Sequence, residues 1–370
     1  MKLLVGYLID GRHSGIDKYL LNLTEQAVRE GVRMDFLTNA IDPELKERLD
    51  LIGSQLYEIP TLKTPLAQYK AIRRIVELGN YDGAYFNISE PLNMIGLLAA
   101  HNCGLPVKVH SHNSASGSEN AFARFVRGCI NFVCRPVVNR SADQRLACSG
   151  KAAKWLFGNR ADDTKIIYNP VDEDRFAFNP ELRVRVREEM GLSDSTVILH
   201  VGNMLYAKNQ SFLLDIFAKM AEIQEDVALL LVGSGPDEQM LKEKTALLGL
   251  ENKVRFMGVR TDVDELYQAA DVFVFPSRNE GLPIAALEAQ FSGLPCLMST
   301  EITSETLLAP NAAQMRLKDP ASEWAQKALD MANQPRCAGQ IPAEHRNRFS
   351  RVHQDEMLRE LLLQDWRKTP

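Results

Sequence analysis

The sequence predicts an α/β protein with two doubly wound domains, each a parallel sheet covered by helices on both faces. Short apolar segments alternate with amphipathic helical segments from end to end. The strand segments are apolar throughout, as is typical of parallel strands that are buried on both faces. The chain has 370 residues, whereas a single domain usually has about 100–200, and the alternation restarts near the middle.

The apolar segments of the first half predict strands at Leu3–Ile9, Met34–Leu37, Gly83–Phe86, Val107–Val109 and Lys165–Ile167. Amphipathic spacing predicts helices at Lys18–Arg29 and Leu66–Leu78. In the second half, the predicted strands are Val197–Val201, Ala228–Val232, Val254–Met257, Val272–Phe275 and Pro295–Met298. The predicted helices there are Phe212–Glu222, Glu238–Leu248, Val263–Ala269 and Ile284–Phe291.

The boundary between the two domains is predicted in the charged segment Phe178–Ser195, which contains Asn179-Pro180. We therefore expect a first domain over residues 1–180 and a second over residues 190–345. Parallel sheets bind ligands outside the carboxyl ends of their strands. Two such domains that face each other would place a ligand in the cleft between them. One amphipathic helix is expected at His353–Trp366, and its pattern does not indicate on which of the two domains it packs.

Composition excludes several classes of protein. Hydrophobic residues make up 45% and charged residues 25%, which is typical of a globular protein. The net charge of −5 argues against nucleic acid as a partner. No apolar segment reaches the length of a membrane span, and the N-terminal apolar segment is too short for a signal peptide. The six cysteines form no CxxC pair, so we expect free thiols, no metal site and a cytoplasmic location.

Three loops that follow predicted strands carry polar residues. Residues 10–17 include Gly11 and Gly15 between a strand and a helix, and they form either a structural turn or a ligand loop. Val107 begins a strand that ends in His110 and His112, which we expect to face opposite sides, so that one faces the cleft. Val201 begins a loop that carries Lys208 close to a helix start, where a phosphate would supply a counter-charge.

The loop and helix after Phe275 contain the strongest candidate site. Glu280 and Glu288 are eight residues apart, or about 12 Å along the axis if the whole stretch is helical. That length suits a nucleotide sugar whose hexose and ribose each meet one carboxylate. Pro283 is expected at the first helical position. Glu288 lies among apolar residues, which argues against a solvated charged face.

Residues 121–160 form a basic segment with eight positive residues and one acid, Asp143. Its first part interleaves aromatic and aliphatic residues with Arg124, Arg127 and Arg135. Such a segment suits an anionic membrane surface or a lipid diphosphate acceptor. It is equally compatible with a buried helix that has a solvated basic edge.

The segment PSRNEGLPIAALEA, which contains Glu280 and Glu288, resembles the donor-binding signature of the family-4 retaining glycosyltransferases. The resemblance covers nearly the whole chain. Other segments follow in the family's order: SGIDKYLLNL, VKVHSHNS, IIYNPVDEDRF, HVGNMLYAKNQ, LLLVGSGP and VRFMGVRTDVDELYQAADVFVFPS. PCLMSTEITSE and PNAAQMRLKD are similar to segments of bacterial exopolysaccharide and capsule glycosyltransferases.

This resemblance implies the glycosyltransferase B fold of two facing Rossmann-like domains, with residues 346–370 forming a helix that crosses back to the first domain. It implies a nucleotide diphosphate sugar, with a UDP-sugar expected, as donor, and no cofactor or catalytic metal. A hexose or N-acetylhexosamine would pass, with retention of configuration, to a glycan acceptor. We expect this acceptor to be lipid-linked and used in polysaccharide biosynthesis at the inner membrane face.

Motif matching assigns roles to individual residues. The expected catalytic residues are His112 near the reacting face of the sugar, Lys208 on the diphosphate and Glu280 on the transferred sugar. The expected donor-binding residues are Gly15, Asn203, Val259, Arg260, Gly281, Leu282, Pro283 and Glu288. Gly15 would let the first loop approach the phosphates, the backbone at Val259 and Arg260 would meet the base, and Glu288 would bind the ribose.

Asn203 departs from the family pattern, in which many members have Arg five residues before the lysine. Asparagine supplies no charge to a leaving diphosphate. This departure keeps open a non-catalytic partner subunit that binds nucleotide sugar. A nucleotide-sugar epimerase of the same fold is a separate alternative. A dinucleotide oxidoreductase is disfavoured because the chain lacks the GxGxxG fingerprint.

Overall fold

The computed structural model of the chain describes residues 1–6, 15–115, 121–364 and 366, with the backbone alone at 15–18 and 121. Contacts divide the chain into two compact units. The first unit contains Met1–Asn169 and Val352–Pro370, and the second contains Pro170–Arg351. Each is an α/β unit with a parallel sheet, as the sequence predicts.

The first unit has a sheet of seven strands within the described residues, in the order β3-β2-β1-β4-β5-β6-β7. All its recorded strand pairs are parallel. The strands are β1 Lys2–Gly6, β2 Arg33–Thr38, β3 Leu56–Glu58, β4 Gly83–Ile88, β5 Val107–Ser111, β6 Gln144–Ala147 and β7 Thr164–Ile166. The helices before the crossover to the second unit are α1 Gly15–Arg29, α2 Pro43–Leu51, α3 Pro65–Gly79, α4 Ile95–Asn102, α5 Ala121–Ser141 and α6 Gly150–Phe157.

The second unit has a six-stranded parallel sheet in the order β10-β9-β8-β11-β12-β13. Its strands are β8 Thr196–Val201, β9 Val227–Val232, β10 Val254–Gly258, β11 Val272–Phe275, β12 Cys296–Ser299 and β13 Ala312–Met315. Its helices are α7 Glu173–Phe176, α8 Pro180–Glu189, α9 Gln210–Ile223, α10 Glu238–Leu247, α11 Val263–Ala269, α12 Ile284–Phe291, α13 Ala321–Ala332 and α14 Ala343–Arg348.

The strand order reverses direction between β1 and β4 in the first sheet and between β8 and β11 in the second. Neighbouring crossovers leave in opposite directions at such a point, so the loops that follow these strands part and leave a crevice for a ligand. Each unit therefore has one favoured binding position, at the carboxyl ends of these strand pairs.

The second unit begins at Pro170, earlier than the boundary predicted between residues 180 and 190. Val171 N donates to Phe349 O over 2.8 Å. Arg175 forms an ion pair with Asp264 at 2.5 Å. Because these contacts tie the segment after residue 169 to the second unit, they set the boundary where composition alone does not mark it.

The C-terminal helix α15, Arg351–Leu363, lies mostly within the first unit. Lys108 Nζ in β5 donates to Leu361 O over 2.9 Å and lies 4.0 Å from the centre of the Trp366 ring. A Cβ atom at Gly83 would lie 2.2 Å from that ring, so β4 requires glycine there for close packing. The returning segment is thereby packed against β4 and β5.

Candidate functional site

The crevice at β8 and β11 is built from two loops that bond to each other. Arg278 N donates to Ala207 O over 2.7 Å, and Asn209 Nδ2 donates to Pro276 O over 3.0 Å. Asn209 has a left-handed φ of 59°, which asparagine tolerates better than most residues. These bonds fix the loop after β8 against the loop after β11.

Lys208 and Glu280 meet across these loops. Lys208 Nζ lies 2.7 Å from Glu280 Oε1, and their side chains are 21% and 11% exposed. Lys208 Nζ also lies 5.2 Å from the centre of the Phe275 ring. A partly desolvated ammonium and a carboxylate are therefore available together at the carboxyl edge of the second sheet.

Glu288 lies on α12, where it is 8% exposed. The Tyr267 hydroxyl lies 3.1 Å from Glu288 Oε2 and 3.0 Å from Ala285 O, and its single proton can serve either acceptor. Burial, together with the charge of Glu288, holds the pKa of Tyr267 well above its usual range. Tyr267 is a partner of the candidate ribose-binding carboxylate that the sequence did not indicate.

The helix that carries Glu288 begins at Ile284, so Glu280 lies in the preceding loop. The helical spacing of about 12 Å therefore does not apply to this pair of carboxylates. Pro283 is the N-cap residue and not the first helical residue, which corrects the predicted position. Gly281, Leu282 and Pro283 are all buried in this loop.

Asn203, the position of the departure, is exposed at the start of the loop after β8. Its backbone oxygen accepts from Gln210 Nε2 over 3.0 Å. Arg278 lies on the loop after β11, where its Nη1 donates to Tyr206 O over 2.6 Å and its guanidinium lies 4.1 Å from the Tyr206 ring centre. The two loops thus carry a second cation that motif matching missed.

Val259 and Arg260, predicted to meet the base, follow β10 and are both exposed. The Arg260 guanidinium forms an ion pair with Asp262 at 2.5 Å, and this hydrogen-bonded contact raises the pKa of Arg260. The Arg260 side chain therefore has a partner within its own loop. Only the backbone of this segment was predicted to contact a ligand.

In the first unit, His112 lies just after β5 and is partly buried. Its Nε2 lies 2.8 Å from Asn87 Oδ1 at the end of β4. The rings of His110 and His112 are 4.0 Å apart, so the expectation that they face opposite sides is wrong. Residues two apart on a strand share a face. Burial lowers the pKa of His112 to about 3 and that of His110 well below its usual range.

The first glycine-rich loop falls largely outside the described residues. Gly15 is the first residue of α1, and its predicted approach to the phosphates stays a prediction. Helix α1 does bring Tyr19 to the histidine pair. The Tyr19 ring centre is 4.8 Å from that of His110 and 4.9 Å from that of His112.

The first part of the basic segment forms α5, and its remainder contains β6 and α6. Arg127 Nη1 lies 3.1 Å from Glu90 Oε1, and Arg135 Nη2 donates to Trp155 O over 3.0 Å. Arg124 is exposed. The exposed stripe of the helix is apolar: Phe122 is 74%, Phe125 70%, Phe132 73% and Val133 71% exposed. The exposed surface of α5 therefore carries large apolar side chains together with Arg124, Arg127 and Arg140.

No helix of the described residues is both long enough and apolar enough to cross a membrane. No three His, Cys, Asp or Glu side chains of these residues are grouped so that they could hold a metal ion.

Both halves of the chain match models of known protein families. Residues 13–175 match the model described as Glycosyltransferase Family 4, and residues 195–334 match Glycosyl transferases group 1. EpsF of Bacillus subtilis (strain 168), which is named as a glycosyltransferase, is 30% identical over 322 residues, covering 84% of this chain and 83% of EpsF.

Two further proteins extend the comparison. The UDP-Gal:alpha-D-GlcNAc-diphosphoundecaprenol alpha-1,3-galactosyltransferase of Escherichia coli is 27% identical over 304 residues, or 77% of this chain and 76% of that enzyme. The crystal structure of HepE from Anabaena, in complex with UDP and glucose, superposes with a TM-score of 0.76 at 22% identity, covering 98% of this chain and 99% of HepE. That structure supports the fold. The chain therefore belongs to the family-4, group 1 glycosyltransferases, and it has the glycosyltransferase B fold.

Proposed function

We propose that this protein transfers a hexose or N-acetylhexosamine from a UDP-sugar to a lipid-linked glycan acceptor, with retention of configuration and without a metal. The observation that carries the proposal is the Lys208–Glu280 pair at the carboxyl edge of the second sheet, with Glu288 on the helix that follows. A nucleotide sugar needs a cation for its diphosphate and acceptors for its hydroxyls, and these residues supply both.

Donor binding would break the Lys208–Glu280 ion pair and replace it with contacts from each residue to the donor. The Lys208 ammonium would turn to the diphosphate, whose charge is greater than that of a carboxylate. Glu280 would then accept hydrogen bonds from hydroxyls of the transferred sugar, and Glu288 from the ribose diol. Hydrogen bonds to charged acceptors contribute about 1.5–3 kcal/mol each, which suits residues that select a ligand.

Transfer itself would break the bond between the anomeric carbon and the diphosphate oxygen, and form one from that carbon to an acceptor hydroxyl oxygen. The hydroxyl proton would pass to the departing phosphate on the same face of the sugar, which retains the configuration. Negative charge grows on the diphosphate, where Lys208 would stabilise it. Arg278, on the adjoining loop that bonds to Tyr206, would add to that positive field.

The lipid-linked acceptor is supported by two observations. The name of the E. coli relative specifies a diphosphoundecaprenol-linked substrate, and α5 exposes an apolar stripe that suits the surface of a membrane. The similarity of PCLMSTEITSE and PNAAQMRLKD to segments of bacterial exopolysaccharide and capsule glycosyltransferases supports a role in polysaccharide biosynthesis. The relatives are named as transferases, which does not favour an epimerase or a non-catalytic subunit.

The first experiment is a thermal-shift screen of nucleoside diphosphates and nucleotide sugars with EDTA present. A ligand at about 100 times its Kd adds about 2.7 kcal/mol to the free energy of unfolding. We expect UDP and one UDP-sugar to stabilise the protein, and Glu288→Gln to weaken that effect for UDP but not for 2′,3′-dideoxy-UDP. Glu90→Gln is the matched control, because Glu90 is 9% exposed but lies in the first unit.

Two outcomes would contradict the proposal. Absence of stabilisation by every nucleotide, with the protein folded, would favour a subunit without donor binding. Once a donor and an acceptor are identified, NMR of the product gives the anomeric configuration, and an inverted product would exclude the proposed transfer step. Loss of transfer in EDTA that Mg²⁺ restores would exclude metal independence.

A further inference from the structure

Asn87 is a buried side chain with a defined orientation at the end of β4. It is 4% exposed, and its Nδ2 lies 3.4 Å from Gly6 O at the end of β1. A backbone carbonyl can only accept a hydrogen bond, so the NH₂ group of Asn87 must face Gly6. The opposite orientation would bring two oxygens together. Oδ1 of Asn87 therefore faces His112.

That orientation determines the tautomer of His112. Asn87 Oδ1 lies 2.8 Å from His112 Nε2 and can only accept, so Nε2 must carry the ring proton. In the neutral ring the other nitrogen, Nδ1, then carries a lone pair. His112 Nδ1 is buried and has no hydrogen-bond partner among the described residues. His112 Nδ1 is thus free to accept a hydrogen bond from a donor that is not among the described residues.

The surroundings of His112 keep it neutral. Within the part of the chain that the structure describes, the His112 ring meets the amide of Asn87 and the rings of His110 and Tyr19, whose centres are 4.0 Å and 4.9 Å away. None of these groups is a carboxylate. His110 Nδ1 lies 2.5 Å from the Tyr85 hydroxyl, which lies 2.6 Å from that of Tyr19. These hydrogen bonds between neutral groups hold the His110 ring in place, and the His110 ring packs on His112. Burial lowers the pKa of His112 far enough to prevent protonation at neutral pH.

We propose that Asn87 is a positioning residue that holds His112 in the Nε2–H tautomer, so that Nδ1 accepts a hydrogen bond from a substrate hydroxyl. The inference rests on the proposed function for the identity of the ligand as a sugar. A lone pair on Nδ1 pairs with a group that can donate, such as a hydroxyl, and it rejects an ionised carboxylate or phosphate, which can only accept. The ligand group at this contact is therefore a hydrogen-bond donor, and with the proposed sugar as ligand it is a free hydroxyl.

The test reads the tautomer directly, by NMR of protein labelled with ¹⁵N-histidine, with the His112 signals assigned by their loss in His112→Gln. We expect a neutral Nε2–H ring in the wild-type protein from pH 8 to pH 5. Asn87→Leu removes the acceptor, so we expect its His112 to show mixed tautomers and kcat/KM to fall by up to about 100-fold.

Asn87→Asp separates position from charge. The carboxylate still accepts from Nε2–H, but its charge stabilises the imidazolium and raises the pKa of His112. Transfer should therefore approach the wild-type rate at high pH and decline as the pH falls through that raised pKa, whereas the wild type should not show this decline. Gln68→Leu is the matched control, because Gln68 is a fully buried amide on α3 of the same unit and its Nε2 donates to Pro60 O.

A wild-type His112 with its proton on Nδ1, or charged at pH 7, would overturn the inference. An unchanged tautomer in Asn87→Leu would do so as well. Because the tautomer is read without substrate, failure of the transferase assay would count against the proposed function and not against the role of Asn87 in setting the tautomer.

Discussion

Glu280 Oε1 lies 2.7 Å from Lys208 Nζ, so the two groups assigned to different parts of the donor are each other's partners. They lie 72 residues apart in the chain. This relationship makes the carboxylate a competitor of the diphosphate for the ammonium. Nucleotide binding and sugar transfer should therefore respond differently when the pair is changed.

Glu280→Gln removes the competing charge but also weakens contacts to the sugar. We expect its affinity for UDP to be kept or to rise by up to about 5-fold, the range of a solvent-accessible ion pair. Transfer should fall by about 10- to 150-fold, the equivalent of 1.5–3 kcal/mol. Calorimetric titration and initial rates measure the two effects.

Lys208→Met should weaken both UDP binding and transfer. Lys244→Met is the control, because Lys244 pairs with Asp215 at 2.7 Å and is 24% exposed on α10 of the same unit.

If Glu280→Gln loses UDP affinity as much as it loses transfer, the carboxylate does not compete with the diphosphate.

Asn203→Arg should restore a positive charge that the family commonly has at this position. Asn203 is exposed, so the added guanidinium keeps its hydration and needs no new buried partner. We expect kcat/KM to increase by up to about 5-fold at low salt, with the gain shrinking at high salt because screening weakens exposed charges. Asn203→Gln, which adds length without charge, should leave the rate unchanged. An equal gain in both variants would refute the electrostatic explanation.

The exposed stripe of α5 should bind anionic membranes. Phe122 and Phe132 are each more than 70% exposed on a helix with four arginines and no acid, and aromatic burial in the interface adds to attraction by anionic lipid. We expect Phe122→Ser with Phe132→Ser to reduce flotation with phosphatidylglycerol vesicles at least about 10-fold.

The control replaces equally exposed apolar residues elsewhere, Leu51→Ser with Leu247→Ser, which are 82% and 87% exposed. These changes should leave flotation unchanged. Two results would contradict the prediction that α5 is the contact with anionic membranes. One is an equal loss of flotation in both pairs of substitutions, and the other is equal flotation of the wild type with anionic and uncharged vesicles.

Lys108 should make the stability of the protein depend on pH in a defined window. Burial, reinforced by the charge of Lys165, lowers the pKa of Lys108 to about 8 from an ordinary value of 10.5. Between these values the unfolded chain binds more protons than the native protein, so the contribution of Lys108 to stability rises with pH. Urea unfolding at pH 7.5 and pH 9.5 should show this rise in the wild type relative to Lys108→Met. A difference between the two proteins that does not change with pH would refute it.

Local patterns predicted several elements with their observed limits, including α11 Val263–Ala269, β11 Val272–Phe275 and α12 Ile284–Phe291. These elements are strongly apolar or regularly spaced. The short strands β3 Leu56–Glu58, β6 Gln144–Ala147 and β13 Ala312–Met315 were missed, because each has mixed residues and few β-branched side chains. Pairing with neighbouring strands, and not local propensity, makes these segments extended.

The sequence by itself determined the fold class and the family, because alternation of apolar strands and amphipathic helices is a local property and the motifs lie in order along the chain. It also located Lys208 and Glu280 in loops that follow strands, and Glu288 on the helix after the second loop. Only the tertiary structure decided which side chains meet, as in the pairs Lys208–Glu280 and His112–Asn87. Strand order brings these partners together, and strand order follows from how the whole sheet packs, which no periodicity along the chain encodes.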